Sequence, residues 1–436
     1  RTEPDTSTVL AMPRIHDRRV EKSVSNRRQR QRRPSPRLAG LVATAGALLA
    51  GLFEHDSRAA RADVDMGGKP MVFEAPPAPG TTTCSFRRAI CVHGAGGEAA
   101  LAAVGSLERA WEAALVIGLP LPASFDAYLD DAPSRGVIAS RDLLTRLDGA
   151  QTFAILDDRI PSGCARDFDA ARALYAAAAL ARTPAIDEGS LRAESTSLAA
   201  LAVPCASVDA GPFQAHPDRA LADRFVAPGY DEGASLFFSW LDDAYGKRPG
   251  SVPVATLDLA ATRTPEGSDH WVDAPDVFDV LHASLKDEGE ALGAFAIWRA
   301  LGVAPAARLD WDVGWPSSPR ALASPEGLAP TGSAYVRIAT KGRAPGARFD
   351  LDATWEELAR MRWTVVKLDA AGGELGRVEA NAAPKATQAH LQIVDLDATS
   401  ALLVVATNLG PWDRTYDPDD DVPEPHGWLL TIRSEP

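Results

Sequence analysis

The chain has 436 residues, 46% of them hydrophobic, with 45 basic and 59 acidic side chains and a formal net charge of −14. That composition excludes a fibre or a wholly disordered chain, and the length allows two or three domains with cores of their own. The charge argues against polyanionic partners: beyond residue 62, 32 basic residues face 53 acidic ones, a net of −21, which repels nucleic acid and anionic lipid.

The first 62 residues have a composition of their own. Eleven arginines and lysines precede residue 38; "LAGLVATAGALLAGLF" (38–53) carries no charge; Ala60 and Ala62 then give a small-x-small pattern. Basic, apolar and small in that order predict a secretory signal over 1–62, hence an exported protein, periplasmic or extracellular. The apolar run is shorter than the roughly 20 residues that span a bilayer, so no stable membrane span is expected after cleavage.

Residues 63–83, with "APPAPGTTT", read as a mobile linker. Cys84, Cys91, Cys164 and Cys205 suit an oxidising compartment. Three pairings are open, of which Cys84–Cys91 with Cys164–Cys205 is favoured; the alternative is four reduced thiols. Glycine-rich "HGAGGEAA" (93–100) imitates a phosphate loop, but it lacks the Lys-Ser/Thr pair and no clear strand precedes it, so it reads as a cap and turn. Leu101, Val104, Leu107, Trp111 and Leu115 fall at helical spacing, and Gly118 and Pro120 stop that helix. "SFDAYLD" (124–130) and "QTFAILDD" (151–158) read as strands, separated by a short helix at "SRDLLTRL" (140–147). "ARALYAAAALARTPAIDEGSLRAESTSLAA" (171–200) reads as two helices joined at Thr183-Pro184.

Residues 212–328 are mainly helical in pattern, with "EGASLFFSWLDDAYG" (232–246) the clearest element and "DVFDVLHASLKDEGEALGAFAIWRALG" (276–302) continuing it. "RLDWDVGWP" (308–316) reads as an aromatic segment docking two domains; Trp311 and Trp315 suit buried packing, or stacking on sugar. After Gly332 the period becomes two. Seven short strand candidates lie between 333 and 433, and "DAAGGE" (369–374) makes a hairpin turn, which predicts a β-sandwich over 329–436.

A small sheet with helices, a helical lobe and then a β-domain is the layout of the gluzincin-type zinc metallopeptidases. "LERAWEAALVIGLPLP" (107–122), "YDEGASLFFSWLDDAYG" (230–246) and "GSAYVRI" (332–338) resemble stretches of uncharacterised secreted bacterial proteins assigned to that class. The resemblance implies an α+β fold: a gluzincin-like domain over 84–328, small sheet plus helical lobe, followed by the sandwich. It also implies that "LRAESTS" (191–197) is the helix bearing the third zinc ligand, at Glu194. The chemistry needs two histidines one helical turn apart beside a catalytic glutamate. The equivalent helix, "FDAARALYAAAALAR" (168–182), offers Arg172, Tyr175 and alanines, and no H-E-x-x-H occurs in the chain.

The expectation is therefore a catalytically inactive, metallopeptidase-like scaffold, a pseudoenzyme without zinc. Glu194 becomes a vestigial position, solvated or paired with Arg192 or Arg172, while Asp187 and Glu188 favour the helix N-terminus. One alternative is a hydrolase with an atypical metal site gathering His216, His270 and Glu194, with His282 nearby. The other is a surface protein whose sandwich binds a glycan or an envelope or extracellular protein. A G-x-S-x-G elbow is absent. The cation candidate is "YDPDDDVPEPHGW" (416–428): Asp417, Asp419 and Asp421 alternate as calcium loops do, but Val422 replaces the required glycine and Trp428 the closing glutamate.

Overall fold

A computed structural model describes residues 76–435, apart from 78, 95, 139–150, 185, 224–225, 261–274, 382–384, 413, 419–420 and 422. The signal segment expected over 1–62, the helix expected at 140–147, His270 and Asp419 lie outside the described residues.

The chain opens with a five-stranded mixed sheet in the order β1-β2-β3-β5-β4, formed by Thr81–Cys84, Ile90–Gly94, Phe125–Asp130, Thr152–Asp157 and Arg135–Ile138 respectively. The expected linker therefore ends at residue 80. β-Branched Thr81–Thr83 pair antiparallel with β2, and Cys84 stands opposite Cys91 in that register. Strands β2, β3 and β5 run parallel. Helices α1 (Glu98–Ile117) and α2 (Cys164–Arg182) pack on the sheet, joining Ile90, Phe125 and Leu156 to Leu107, Trp111 and the buried alanines of α2. A strand does precede the glycine-rich loop: β2 runs into it, and Gly97, at φ 93°, starts α1.

The alanine run of α2 lets its backbone approach β4. A Cβ on Gly136 would sit 2.4 Å from the amide nitrogen of Ala177, so neither surface has room for a side chain. Tyr175, fully buried in the same helix, donates its hydroxyl to the carbonyl of Ala110 at 2.9 Å and ties α2 to α1.

Helix α3 (Glu188–Ala202) packs on α2 and on α5 (Tyr230–Tyr245). The helical half also contains α4 (Gly211–Ala215), α6 (Ser251–Leu259), α7 (Val277–Ser284) and α8 (Glu288–Gly302). The single helical pattern expected over 276–302 is two helices. Leu285 is extended and Asp287 caps a new start by accepting from the amide of Glu290, which ends one helix and begins the next.

The C-terminal half consists of two facing sheets. One has the order β11-β10-β13-β8-β6: Glu374–Asn381, Met361–Leu368, Ala401–Asn408, Ser333–Ala339 and Trp311–Val313. The other has the order β12-β9-β14-β7: Gln388–Ile393, Arg348–Trp355, Trp428–Glu435 and Arg320–Ala323. Their inner faces share Val336, Phe349, Leu351, Trp363, Val404 and Leu430, which makes a β-sandwich. It begins earlier than residue 329, because β6 pairs with β8 and β7 with β14. Trp311 and Trp315 are partly buried against that core; Trp311 donates to the carbonyl of Ala323 at 3.0 Å, and Trp315 packs on Phe349. No helix among the described residues is long and apolar enough to cross a membrane.

Two disulfides join Cys84 to Cys91 and Cys164 to Cys205, the favoured pairing, and suit an oxidising compartment. The second encloses α2 and α3 within a sequence separation of 41. Replacing Cys164 and Cys205 together by serine should lower the unfolding free energy by about 4 kcal/mol on the chain-entropy estimate. A urea titration reads this as a shift in midpoint. The Cys84–Cys91 bridge, with a separation of 7, should matter less.

Candidate functional site

The site to test is the α2–α3 pair, because Glu194 lies there. Asp187 caps α3 by accepting from the amide of Ser190 at 2.7 Å. Gly189 lets the first turn of α3 press on the 220–223 segment: a Cβ there would stand 2.0 Å from the carbonyl oxygen of Ala222. Asp187, Ser190 and Glu194 then fall on one face at spacings of three and four.

Glu194 is neither solvated nor paired. It is 1% exposed, and neither carboxylate oxygen has a hydrogen-bond partner among the described residues; the hydroxyls of Ser190 and Thr196 are equally without one. The arginines expected beside it are engaged elsewhere. Arg192 meets Glu188 at 3.0 Å and Asp231 at 3.2 Å, and Arg172 meets Glu232 and, at 3.4 Å, Asp169. Burial pushes the Glu194 carboxyl well above the usual carboxylate range, and the charge of Asp187 adds to the effect.

Among the described residues the donors around Glu194 do not fit zinc. Buried Ala176–Ala179 on α2 offer no ligand atom, and Tyr175 is committed to Ala110. His216 ends α4 and makes no hydrogen bond to Glu194. The imidazole of His282 meets Glu288 at 3.0 Å and that of His93 meets Asp126 at 2.8 Å, with His93 also stacked on Tyr128. His282 and His93 make local pairs, and no described histidine bonds Glu194.

Of the calcium candidates, Asp417 and Asp421 close one turn. The amide of Asp421 donates to the carbonyl of Asp417 at 2.9 Å, and the carboxylate of Asp421 accepts from the amide of Asp417 at 3.0 Å while pairing with Arg414.

Two acidic groupings escaped the sequence reading. Asp131, Asp157 and Asp158, at the carboxyl ends of β3 and β5, bring ligand oxygens within 4.8 Å of one another. Arg159 supplies their countercharge, at 2.8 Å from both Asp131 and Asp157, and its hydrogen bonds hold Asp157 at about 2. The repeated "LDD" at 129–131 and 156–158, ending adjacent parallel strands, is the signal that marks this group.

The other grouping centres on Asp276, the N-cap of α7. Its Oδ1 accepts from the amide of Asp279 at 2.6 Å, whereas its buried Oδ2 has no partner among the described residues. Burial pushes its carboxyl up to about 8, reinforced by the charges of Asp417, Asp279 and Asp187 against a lowering hydrogen bond from Asp279. Buried Tyr416 is raised by desolvation and then by Asp187, Asp223, Asp421 and Asp417. Nothing in the sequence spacing announces this set, since its members come from α3, α7 and the loop before β14.

No protein-family model matches this sequence, and no curated protein matches it. Among solved structures, the pre-peptidase C-terminal domain of a collagenase from Bacillus anthracis is similar over 29% of this chain and 97% of that one, at 8% identity and a TM-score of 0.20. A CBM4 structure is similar over 26% of this chain and 81% of that one, at 15% identity and a TM-score of 0.15.

The raised carboxyls set the sign of the pH dependence. Between the ordinary carboxylate pKa and the raised folded value, the native chain holds a proton that the unfolded chain has released, so stability falls as pH rises through that window. Glu194→Gln removes one such group. In chelator-treated protein it should be more stable than the wild type by about 2 kcal/mol at pH 8, and the difference should vanish near pH 4. Denaturant midpoints across that range check it.

Proposed function

We propose that this chain is an exported, non-catalytic relative of the metallopeptidases, a scaffold that acts through binding or envelope structure rather than peptide hydrolysis. One observation carries the reading. The glutamate that resembles a third zinc ligand is buried without a nitrogen donor among the described residues, and the helix that would provide the histidines presents buried alanines. A catalytic zinc needs three protein ligands and one open position. A solvent-excluded carboxyl with no imidazole bonded to it among the described residues meets neither requirement.

The surroundings of Glu194 disfavour its ionised form. A hydrolytic base has to be ionised near neutral pH and reach a water molecule. Burial raises this carboxyl well above the usual carboxylate range, which disfavours the ionised form, and a substrate has almost no surface of it to contact. Export is supported by the basic-apolar-small order of residues 1–62 and by the two disulfides.

Elemental analysis of the purified full chain after exposure to excess zinc and desalting should find well under one equivalent of zinc. Peptide and casein substrates should remain intact over hours, and Glu194→Gln should leave both results unchanged. One equivalent of retained zinc that disappears in Glu194→Ala, together with peptide cleavage, would replace this reading with an active enzyme.

A further inference from the structure

Single exposed apolar side chains are ordinary on a protein surface, whereas a group of them calls for a partner. Among the described residues the most exposed is Phe86, at 105% of its reference area, on the turn between β1 and β2. That turn is braced. The Cys84–Cys91 bridge closes it, and the Ser85 hydroxyl accepts from the amides of Arg87 and Arg88 at 2.9 Å. The same hydroxyl donates to Glu108 at 2.5 Å and Arg88 pairs with Glu112, so the turn is pinned to the C-terminal half of α1. The ring of Phe86 is held out in water on a support that costs little further ordering to bind.

One turn beyond Glu112, α1 exposes Leu115 and Val116, at 51% and 77%. The helix closes on Gly118, at φ 83°, and Arg248 lies across its end: a Cβ on Gly118 would stand 2.6 Å from Arg248 Nη2, and Nη1 donates to the carbonyl of Val116 at 3.2 Å. The turn after α5 therefore borders the same pole as Phe86. Among the described residues Arg87 and Lys247 make no ion pair, and Arg248 meets that carbonyl but no carboxylate. The acids on this side are engaged, Glu108 by Ser85 and Glu112 by Arg88. In a chain this acidic, three cations without a carboxylate beside three exposed apolar side chains set this pole apart.

We propose that this pole docks on an anionic bilayer surface: Phe86, Leu115 and Val116 enter the boundary between headgroups and acyl chains, and Arg87, Lys247 and Arg248 meet lipid phosphates. Apolar side chains interleaved with cations are what such an interface takes up. The apolar groups here project and touch little of their own protein, an arrangement that a deformable bilayer accepts; a protein partner needs a close-packed patch that excludes water. The whole-chain charge opposes anionic lipid, but charges more than a Debye length away, about 8 Å at physiological salt, are largely screened, so the local cations govern the contact. This names a partner for the envelope role proposed above and rests on it; vesicle binding and zinc retention are separate measurements, so either can fail without the other.

The test incubates the full chain with vesicles of equal parts phosphatidylcholine and phosphatidylglycerol and maps the contact by hydrogen exchange, because residues 1–62 are themselves basic and apolar. Exchange at 85–89, 115–118 and 247–249 should slow at least threefold with these vesicles and not with phosphatidylcholine alone. Phe86→Ser, and separately Arg87→Glu combined with Lys247→Glu, should abolish that slowing at 115–118. Leu358→Gln, which removes an apolar side chain 71% exposed elsewhere, should leave it intact. Circular dichroism verifies that each variant folds. The proposal is overturned if protection is confined to residues 1–62, if neutral vesicles protect equally, or if Phe86→Ser behaves as the wild type. It is also overturned if the same segments become protected without lipid as protein concentration rises, which would assign the pole to a second copy of the chain.

Discussion

The charge of Arg299 is the constraint around which the two halves are arranged. This residue of α8 is 1% exposed and has no carboxylate in hydrogen-bond contact. Its Nε donates to Gln214 Oε1 at 3.0 Å, its Nη2 donates to the carbonyl of Phe213, and its guanidinium lies 3.5 Å over the Phe213 ring. Gln214 answers by donating to the carbonyls of Arg299 and Pro305, at 3.0 and 3.1 Å. A guanidinium does not shed its proton on burial, so the surrounding backbone has to satisfy it. That requirement fixes α4 against α8 and the segment leaving α8. From the same region, Pro217 and Asp218 accept from the amides of Ser333 and Ala329, so the helical half holds the first residues of the sandwich.

This junction explains why β13 reads as an unbroken apolar run. All eight residues of Ala401–Asn408 are buried. Leu402, Val404 and Ala406 face the sandwich core, while Leu403 and Val405 meet Ala296 and Ile297 of α8 on the opposite face. Tyr335 on β8 seals the contact through its hydroxyl, which donates to the carbonyl of Ala296 at 2.8 Å. An antiparallel strand with one wet face would alternate; one covered on both faces does not.

What was legible in the sequence follows the length of each periodic signal. Helix α1, strands β3 and β5 and the seven strands after residue 332 carry enough repeats to be read directly. Strands β6 and β7, of three and four residues, are too short to show alternation, and aromatic residues in their surroundings imitate a linker. Strand β1 is hidden by a threonine run resembling the preceding Pro/Gly-rich stretch, and only its pairing with β2 reveals it. For Glu194 the local sequence offered Arg192 two positions away. What decides is Asp231 on α5, which holds that arginine, and a local window cannot show a tertiary competitor.

The buried acids gain meaning from where the molecule does supply countercharge. After residue 62 the chain carries far more acid than base, so arginines are a limited resource, and their placement ranks the carboxylates by need. Arg159 goes to the closest trio, and Arg308 and Arg219 to Asp218 at the junction between the halves. Among the described residues, Glu194 and Asp276 receive none, though both are better shielded from water than most acids that do. Leaving a buried carboxyl unpartnered costs about 1–3 kcal/mol or more, and that cost falls on helices held by other means: the Cys164–Cys205 bridge around α2 and α3, and the close approach of α2 to β4 that its alanines permit. These restraints act independently of any charge at Glu194, so the helix pair retains its geometry although no described arginine reaches that carboxyl.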